Sequence, residues 1–185
     1  MADKQHLFAI TSWLLKAATL FVIFVIVVLA LAFMAVTLGM GSLLFAPALL
    51  DHLEIPRMVD GIPLMRPLTA ALFAVAGGLI SIILVLFTIR ATSGIVDSAI
   101  AGDPFVGDNA GRLNRIGFLL VGIMAVQFLT LITVAAIAPQ NSPHMQISGG
   151  SEPDPVGLLA VLLIFVLARI FKHGNQMRDE LESTV

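Results

Sequence analysis

The chain has 185 residues, of which 58% are hydrophobic and only 12% charged, with a mean hydropathy of +1.02. A soluble core cannot absorb that much apolar surface in a chain this size, so the composition excludes a water-soluble domain and points to an integral membrane protein. A net charge of −2 leaves no basic domain for direct nucleic-acid binding, and the lack of cysteine removes disulfides, thiol catalysis and cysteine metal sites.

Residues 1–11 are a short, mixed polar start. Trp13, the single tryptophan, stands just before the first apolar run, where an indole suits the membrane interface. Residues 17–38 carry no charge, which is enough to cross a hydrocarbon core of about 30 Å. Lys16 at their start can snorkel to the headgroups. The apolar run is too long, and the basic region before it too thin, for a cleaved signal peptide. A retained signal-anchor helix is expected, with the first span at about 14–38.

A connection of residues 39–67 follows, with Pro47, Pro56, Pro63 and Pro67. Within it, residues 43–55 are apolar in part, and Leu49, Leu50 and Leu53 stand near helical spacing. An interfacial helix is therefore expected in this first outer loop. Asp51, His52 and Glu54 gather here, but their spacing matches no metal-ligand motif, so a solvated polar face is the reading.

The second span is placed at about 68–90, closed by Arg90. Ala70, Ala74 and Gly78 recur at every fourth position, which lets helix backbones approach closely. Packing against a neighbouring helix of the same chain is preferred to self-association. Gly77-Gly78 would also permit a bend.

Residues 91–115 form a polar hinge. Its first part offers Ile95, Val96, Ala99 and Ile100 for an amphipathic turn, with Asp97 outward. Asp103-Pro104 marks a turn, because proline fixes its own backbone and pushes the preceding residue out of the helical region. Phe105 is a large apolar anchor in a polar context. A helix can start near Asp108, with Gly107 as N-cap and Asp108 suited to the positive helix end. Asn109, Leu113 and Ile116 then share one face that looks toward the bundle, with Asp108, Arg112 and Arg115 to one side. Two readings stand: a docking or switch element, or a clamp in which Phe105 plugs the bundle and Asn109 ties down loop backbone. The clamp is preferred, since ordered loops at helix ends usually satisfy backbone groups.

The third span is placed at about 116–138. Gln127 near its middle is the most polar side chain inside any span, and Thr130 and Thr133 follow at spacings of three. These three can share a face, as a polar route through an oligomer would need; a plain interhelical hydrogen bond from Gln127 is preferred. Residues 139–155 are a loop by composition, with His144 lacking a companion histidine. The fourth span, at about 156–171, is short and tolerates Arg169 by snorkelling. The tail, 172–185, is polar and can continue the helix into water, with Met177 and Leu181 four apart and Arg178 and Glu180 on other faces.

Two short motifs carry a resemblance. Gly102-Asp103-Pro104-Phe105, with Asn109, Arg112-Leu113 and Ile116, resembles the hinge of the DUF2975 family of small bacterial membrane proteins. Ile170-Phe171-Lys172, Gly174, the run Met177 to Glu182 and the ending Ser183-Thr184-Val185 are similar to that family's tail. Gly107 departs from an expected proline, and Arg169 stands where relatives carry an acid. The hydrophobic layout resembles the family over nearly the whole chain. The resemblance implies no reaction, substrate or cofactor. It implies, by association only, a neighbour: such proteins are often encoded beside a small helix-turn-helix regulator.

With four spans, the amino terminus, hinge and tail share one side, which holds Lys4, Lys16, Arg90, Arg112, Arg115, Arg169, Lys172 and Arg178. The other side holds Arg57 and Arg66. By the positive-inside rule both termini and the hinge are expected in the cytoplasm and the chain in the cell (inner) membrane. The reading is a single all-α membrane domain, 1–185, folded as a four-helix bundle.

No catalytic motif, phosphate loop or metal helix is present in the sequence, and no carboxylate pair lies within a span. We expect no enzyme, no cofactor and no metal. The leading expectation is an interaction or regulatory protein whose cytoplasmic face restrains another protein, such as a helix-turn-helix regulator. Asp103, Pro104, Phe105, Asn109, Arg112, Arg115, Arg178 and Glu180 form its hinge and tail, with Phe105, Arg112, Arg115, Arg178 and Glu180 as the exposed contacts. The alternative is a small oligomeric transporter or pore with Gln127, Thr130 and Thr133 along its route. The expected partners are the lipid bilayer, a cytoplasmic regulatory protein and a second copy of the chain, with no direct contact to nucleic acid.

Overall fold

The computed structural model describes residues 2–45, 58–59, 62–102, 107–137 and 155–182. Four long helices account for nearly all of them: α1 (Ala2–Phe45), α2 (Met65–Ile100), α3 (Gly107–Ile137) and α4 (Pro155–Glu182). Each is long and apolar enough to cross a membrane. At most 11% of the residues in each helix's apolar window are buried within the protein. Leu20, Phe21, Phe24, Phe73, Phe87, Phe128, Leu129 and Leu163 lie exposed along the helices. Water does not tolerate so continuous an apolar exterior, whereas a bilayer does, and helices satisfy their own backbone groups there. The chain is an all-α, multi-pass membrane protein.

The helices end where the sequence stops them. Proline suits the first turn of α4, where its missing N–H costs nothing, and Pro155 stands there. Asp108 sits in the first turn of α3, at the positive end of the helix. Helix α2 closes with Ala101 N–H donating to Asp97 O at 3.0 Å and Gly102 N–H donating to Ala99 O at 3.2 Å. Gly102 then takes φ of +90°, a left-handed conformation that glycine alone adopts without strain. Helix α2 runs unbroken through the first part of the hinge, 92–100, and through Gly77-Gly78. The expected amphipathic turn at 92–100 is thus its last turns. Asp97 is exposed and Ile95, Val96 and Ala99 are half-buried, but Ile100 is 45% exposed, so it departs from the inward face.

Ahead of α2, β1 (Met58–Val59) pairs antiparallel with β2 (Ile62–Pro63), Met58 opposite Pro63 and Val59 opposite Ile62. The sequence between them is Asp60-Gly61, a dipeptide suited to tight hairpins. Helix α1 reaches Phe45, so the start of the expected interfacial segment belongs to α1. The remainder of that segment, with Asp51, His52 and Glu54, lies outside the described residues, as do Asp103, Pro104, Phe105 and His144.

The chain divides into two compact units. Unit 1 comprises 1–24, 83–123 and 154–185; unit 2 comprises 25–82 and 124–153. Within unit 1 the buried positions include Val22, Leu113, Ile116, Val161 and Ala168. Gly117 of α3 meets the ring of Phe165 of α4: a Cβ added at Gly117 would lie 2.8 Å from two ring carbons. Phe118 meets the same ring edge-on, with centroids 5.3 Å apart and planes at 74°.

Within unit 2 the close approach is between α2 and α3. A Cβ at Gly77 would fall 2.0 Å from Thr130 Oγ1 and 2.9 Å from Thr130 Cβ, so only glycine fits. Gly78 leaves ordinary space beside Leu29, at 3.9 Å. Ala70 is 1% exposed, whereas Ala74 is exposed. The small residues buried in α2 are therefore Ala70 and Gly77, seven apart, rather than the full stripe Ala70, Ala74 and Gly78. In a straight 3.6-residue helix i+7 returns to about 20° from i on one side and i+4 to about 40° on the other, so Ala74 stands on the flank of the face that Ala70 and Gly77 bury.

Candidate functional site

Polar side chains of α2 and α3 meet inside unit 1, at the hinge. Asn109, two residues into α3, is fully buried at 0% exposure. Its amide nitrogen donates to Ser98 Oγ of α2 at 2.5 Å, and Ser98 Oγ in turn donates to the Ile95 carbonyl at 2.8 Å. Its amide oxygen accepts from Arg112 Nη1 at 3.1 Å. Arg112 Nη1 also donates to the Gly94 carbonyl of α2 at 2.5 Å, and Arg112 Nη2 pairs with Asp108 Oδ2 at 2.8 Å.

This arrangement has a sense of direction that fixes the Asn109 amide. A guanidinium only donates, so it must face the amide oxygen. The Ser98 hydroxyl proton is committed to Ile95, so its lone pair faces the amide nitrogen. The two hydrogens of Arg112 Nη1 match the two carbonyl oxygens it meets. No buried side-chain nitrogen or oxygen among the described residues lacks a partner. A network satisfied in this way is rigid, because any shift leaves a buried polar group unpaired.

Gly94 gives the network room. A Cβ there would lie 3.1 Å from Arg112 Cζ and Nη1 and 3.2 Å from Nε. The guanidinium lies against bare α2 backbone, and its donor reaches a carbonyl already used by the helix ladder. A carbonyl oxygen has two lone pairs, so the second bond costs the helix nothing.

One expectation changes here. Arg112 is half-buried and its guanidinium is held by Gly94, Asn109 and Asp108, so it is a latch residue and not an exposed contact. Asn109 binds Ser98 on α2, so it ties helix to helix; the loop backbone it was expected to hold, 103–106, lies outside the described residues. Gly94 and Ser98 had no assigned role in the sequence. Their spacing of four, on the helix that enters the hinge, was the available signal.

The remaining candidates are dispersed. Arg115 is exposed on α3. Arg178 and Glu180 are exposed on α4, and each has a partner. In unit 2, Gln127, Thr130 and Thr133 have different surroundings. Gln127 is exposed and makes no hydrogen bond among the described residues. Thr130 is packed onto Gly77, and the Thr133 hydroxyl donates back to Leu129 O of its own helix at 2.8 Å. Hydroxyls returned to helix carbonyls are typical of apolar surroundings.

No curated protein and no solved structure matches this chain. A family model, described as a protein of unknown function (DUF2975), matches residues 48–185. That match takes in the hairpin, α2, the latch, α3 and α4, and leaves α1 outside it. On a match of that extent, the chain belongs to the DUF2975 family.

Proposed function

We propose that the protein is a non-enzymatic membrane interaction protein, which uses the hinge side of unit 1 to hold a cytoplasmic regulatory protein. The observation that supports this is the latch. A buried asparagine, a serine, a glycine carbonyl and an arginine fix the α2–α3 corner from beneath. A preordered corner offers a rigid surface, and rigidity lowers the ordering cost of binding. Around it stand exposed Asp97, Ile100 and Arg115. Ile100 adds an apolar anchor beside charges, the mix found in protein contacts.

The orientation belongs to this proposal. Eight basic residues on the side of the termini and hinge, against Arg57 and Arg66 on the other, favour a cytoplasmic hinge in a bacterial inner membrane. The family's association with small helix-turn-helix regulators makes such a protein the first partner to test. Crosslinking from native membranes, wild type against Ile100→Asp/Arg115→Glu, is the experiment. We expect one DNA-binding protein to be captured by the wild type and lost in the variant, and its DNA affinity to fall when the membrane protein is added. Equal capture by both forms, or unchanged DNA binding, would sink the proposal.

A second reading rests on Gln127. An exposed amide in the middle of a span, without a partner among the described residues, favours a polar contact to a second copy. An oligomer lined there could pass a polar solute. Flux into proteoliposomes that Gln127→Leu abolishes would favour this reading over the first.

A further inference from the structure

Unit 1 carries five exposed cations that make no hydrogen bond or ion pair among the described residues: Lys16, Arg90, Arg115, Arg169 and Lys172. Each of the four helices contributes at least one. Arg90 and Arg115 lie at nearly one level. Leu84 faces Gly122, Gly94 faces Arg112 and Ser98 faces Asn109, so α2 and α3 run antiparallel in a register that sets Arg115 within about two residues, or 3 Å, of Arg90. On α4, Arg169 stands one turn beyond Phe165, the residue seated on Gly117.

The described carboxylates of this unit lie further from the apolar spans. Asp97 is seven residues beyond Arg90, Asp108 seven beyond Arg115 on the hinge side, and Glu180 eight beyond Lys172. At 1.5 Å per residue those offsets are about 10 to 12 Å. The membrane-proximal level thus holds unpaired positive charge and the outer level holds the acids. That separation matches a layer of lipid phosphates.

One part of the belt borders a half-open hollow. The hollow, of about 730 Å³, lies along α4, lined by Arg169, Lys172, His173 and Gln176 and by Ile170, Gly174 and Met177. The first four stand at i, i+3, i+4 and i+7, a single polar stripe. Ile170, Gly174 and Met177 stand at i, i+4 and i+7, a parallel apolar stripe, with glycine leaving a dip between two large side chains. The apolar stripe continues into the span through Val166 and Leu163, both exposed.

We propose that this hollow holds the headgroup of an anionic phospholipid. Arg169 and Lys172 meet the phosphate, His173 and Gln176 serve the polar headgroup, and an acyl chain leaves along Ile170, Val166 and Leu163. The apolar wall is the reason to name a lipid: a free phosphate gains nothing from Ile170 or Met177, whereas a phospholipid needs both stripes side by side. A basic residue near a membrane surface favours anionic lipid by about fivefold.

The test is native mass spectrometry of the full-length protein, titrated with phosphatidylglycerol or phosphatidylcholine. We expect a preference for phosphatidylglycerol that falls more than tenfold in Arg169→Gln/Lys172→Gln and is retained in Arg169→Lys/Lys172→Arg. Arg90→Gln/Arg115→Gln, which removes two cations of the same belt outside the hollow, is expected to keep the preference. An equal loss in that control would show a diffuse charge effect and overturn the site. Displacement of the bound lipid by 10 mM inorganic phosphate would overturn the lipid assignment in favour of a free-anion site. Circular dichroism of each variant separates lost binding from lost fold, and because the preference is read on purified protein, insertion topology does not enter it.

Discussion

In unit 2, Gly77 of α2 lies against Thr130 of α3; in unit 1, Gly94 of α2 lies against Arg112 of α3. Both contacts use a glycine, the first by necessity and the second by ease of approach. At Gly77 the constraint is steric: the two backbones are so close that a methyl group would overlap a β-branched side chain. At Gly94 the constraint is polar: the missing side chain lets a guanidinium reach a carbonyl. Dry packing of small residues works anywhere in a span, because it asks nothing of water. A charged latch belongs near a helix end, where Asp108 at 68% side-chain exposure can share the charge with solvent.

The largest effect is expected where the geometry has no slack. In Gly77→Leu the new side chain must displace Thr130, whose oxygen lies 2.0 Å from the first added carbon. Overpacking of this kind costs about 1–3 kcal/mol per site, and more where backbone must move. We expect the variant to lose at least 3 kcal/mol in an SDS-titration unfolding assay. Adding Thr130→Gly should recover part of it, since that removes all three crowded atoms. If Gly77→Leu alone is neutral, the close contact in unit 2 carries no weight and the comparison fails on that side.

Asn109→Ala comes next. It leaves Arg112 Nη1 and Ser98 Oγ each short of a partner in a buried place, which costs about 1–3 kcal/mol by the usual penalty for an unsatisfied group. The paired change Asn109→Ala/Ser98→Ala should cost less than the sum of its parts, because both ends of one bond go together. Additive losses would mean that the two side chains do not act through each other.

How much of this could be read beforehand follows from the kind of signal each feature leaves. Uninterrupted apolar runs marked the first three spans, because a bilayer needs about twenty such residues; the fourth run, 156–171, is short and broken by Arg169, so it was read only by letting that side chain snorkel. The inward face of α3 was also legible: Asn109, Leu113 and Ile116 stand at helical spacing, and all three are buried. Arg112 was misjudged for a physical reason. A lone arginine beside a hinge reads as a solvated charge, and only the approach of Gly94 from another helix shows that its head is occupied. Likewise Thr130 and Thr133 share a helix face with Gln127 in the sequence, but a facing glycine claims one and its own helix carbonyl claims the other. Long-range partners leave no local trace, so polar residues near a span were the least legible part.

Gly94→Ala tests the latch from the other side. The added methyl meets Arg112 at 3.1–3.2 Å, a distance that a long side chain relieves by moving a few tenths of an ångström. The hydrogen bond to the Gly94 carbonyl should lengthen rather than vanish, and alanine is the better helix former by nearly 1 kcal/mol. These terms oppose, so a net loss of no more than about 1 kcal/mol is expected. Gly94→Val, which adds bulk without that helix advantage, should cost clearly more in the same assay. Equal effects from both would show that Arg112 does not lie against this helix in the membrane.

The smallest effect is expected next door to one of the largest. Asp108→Asn removes the single ion pair described for Arg112, and intuition ranks a salt bridge above an amide. The exposures reverse that ranking. Asp108 is 68% exposed and Arg112 31%, so water and salt already screen the pair, and exposed pairs contribute roughly 0–1 kcal/mol. Asparagine keeps a side-chain oxygen for the start of α3, losing only the charge term with the helix end, about 0.3–1 kcal/mol. We therefore expect Asp108→Asn to cost under about 1 kcal/mol and to shrink further at high salt, while the neighbouring Asn109→Ala costs more and is indifferent to salt. Measuring the two variants side by side at low and high ionic strength decides whether the latch is held by its buried neutral amide or by its exposed charge. A larger, salt-sensitive loss at Asp108 would assign the corner to electrostatics and remove the argument that a buried network makes it rigid.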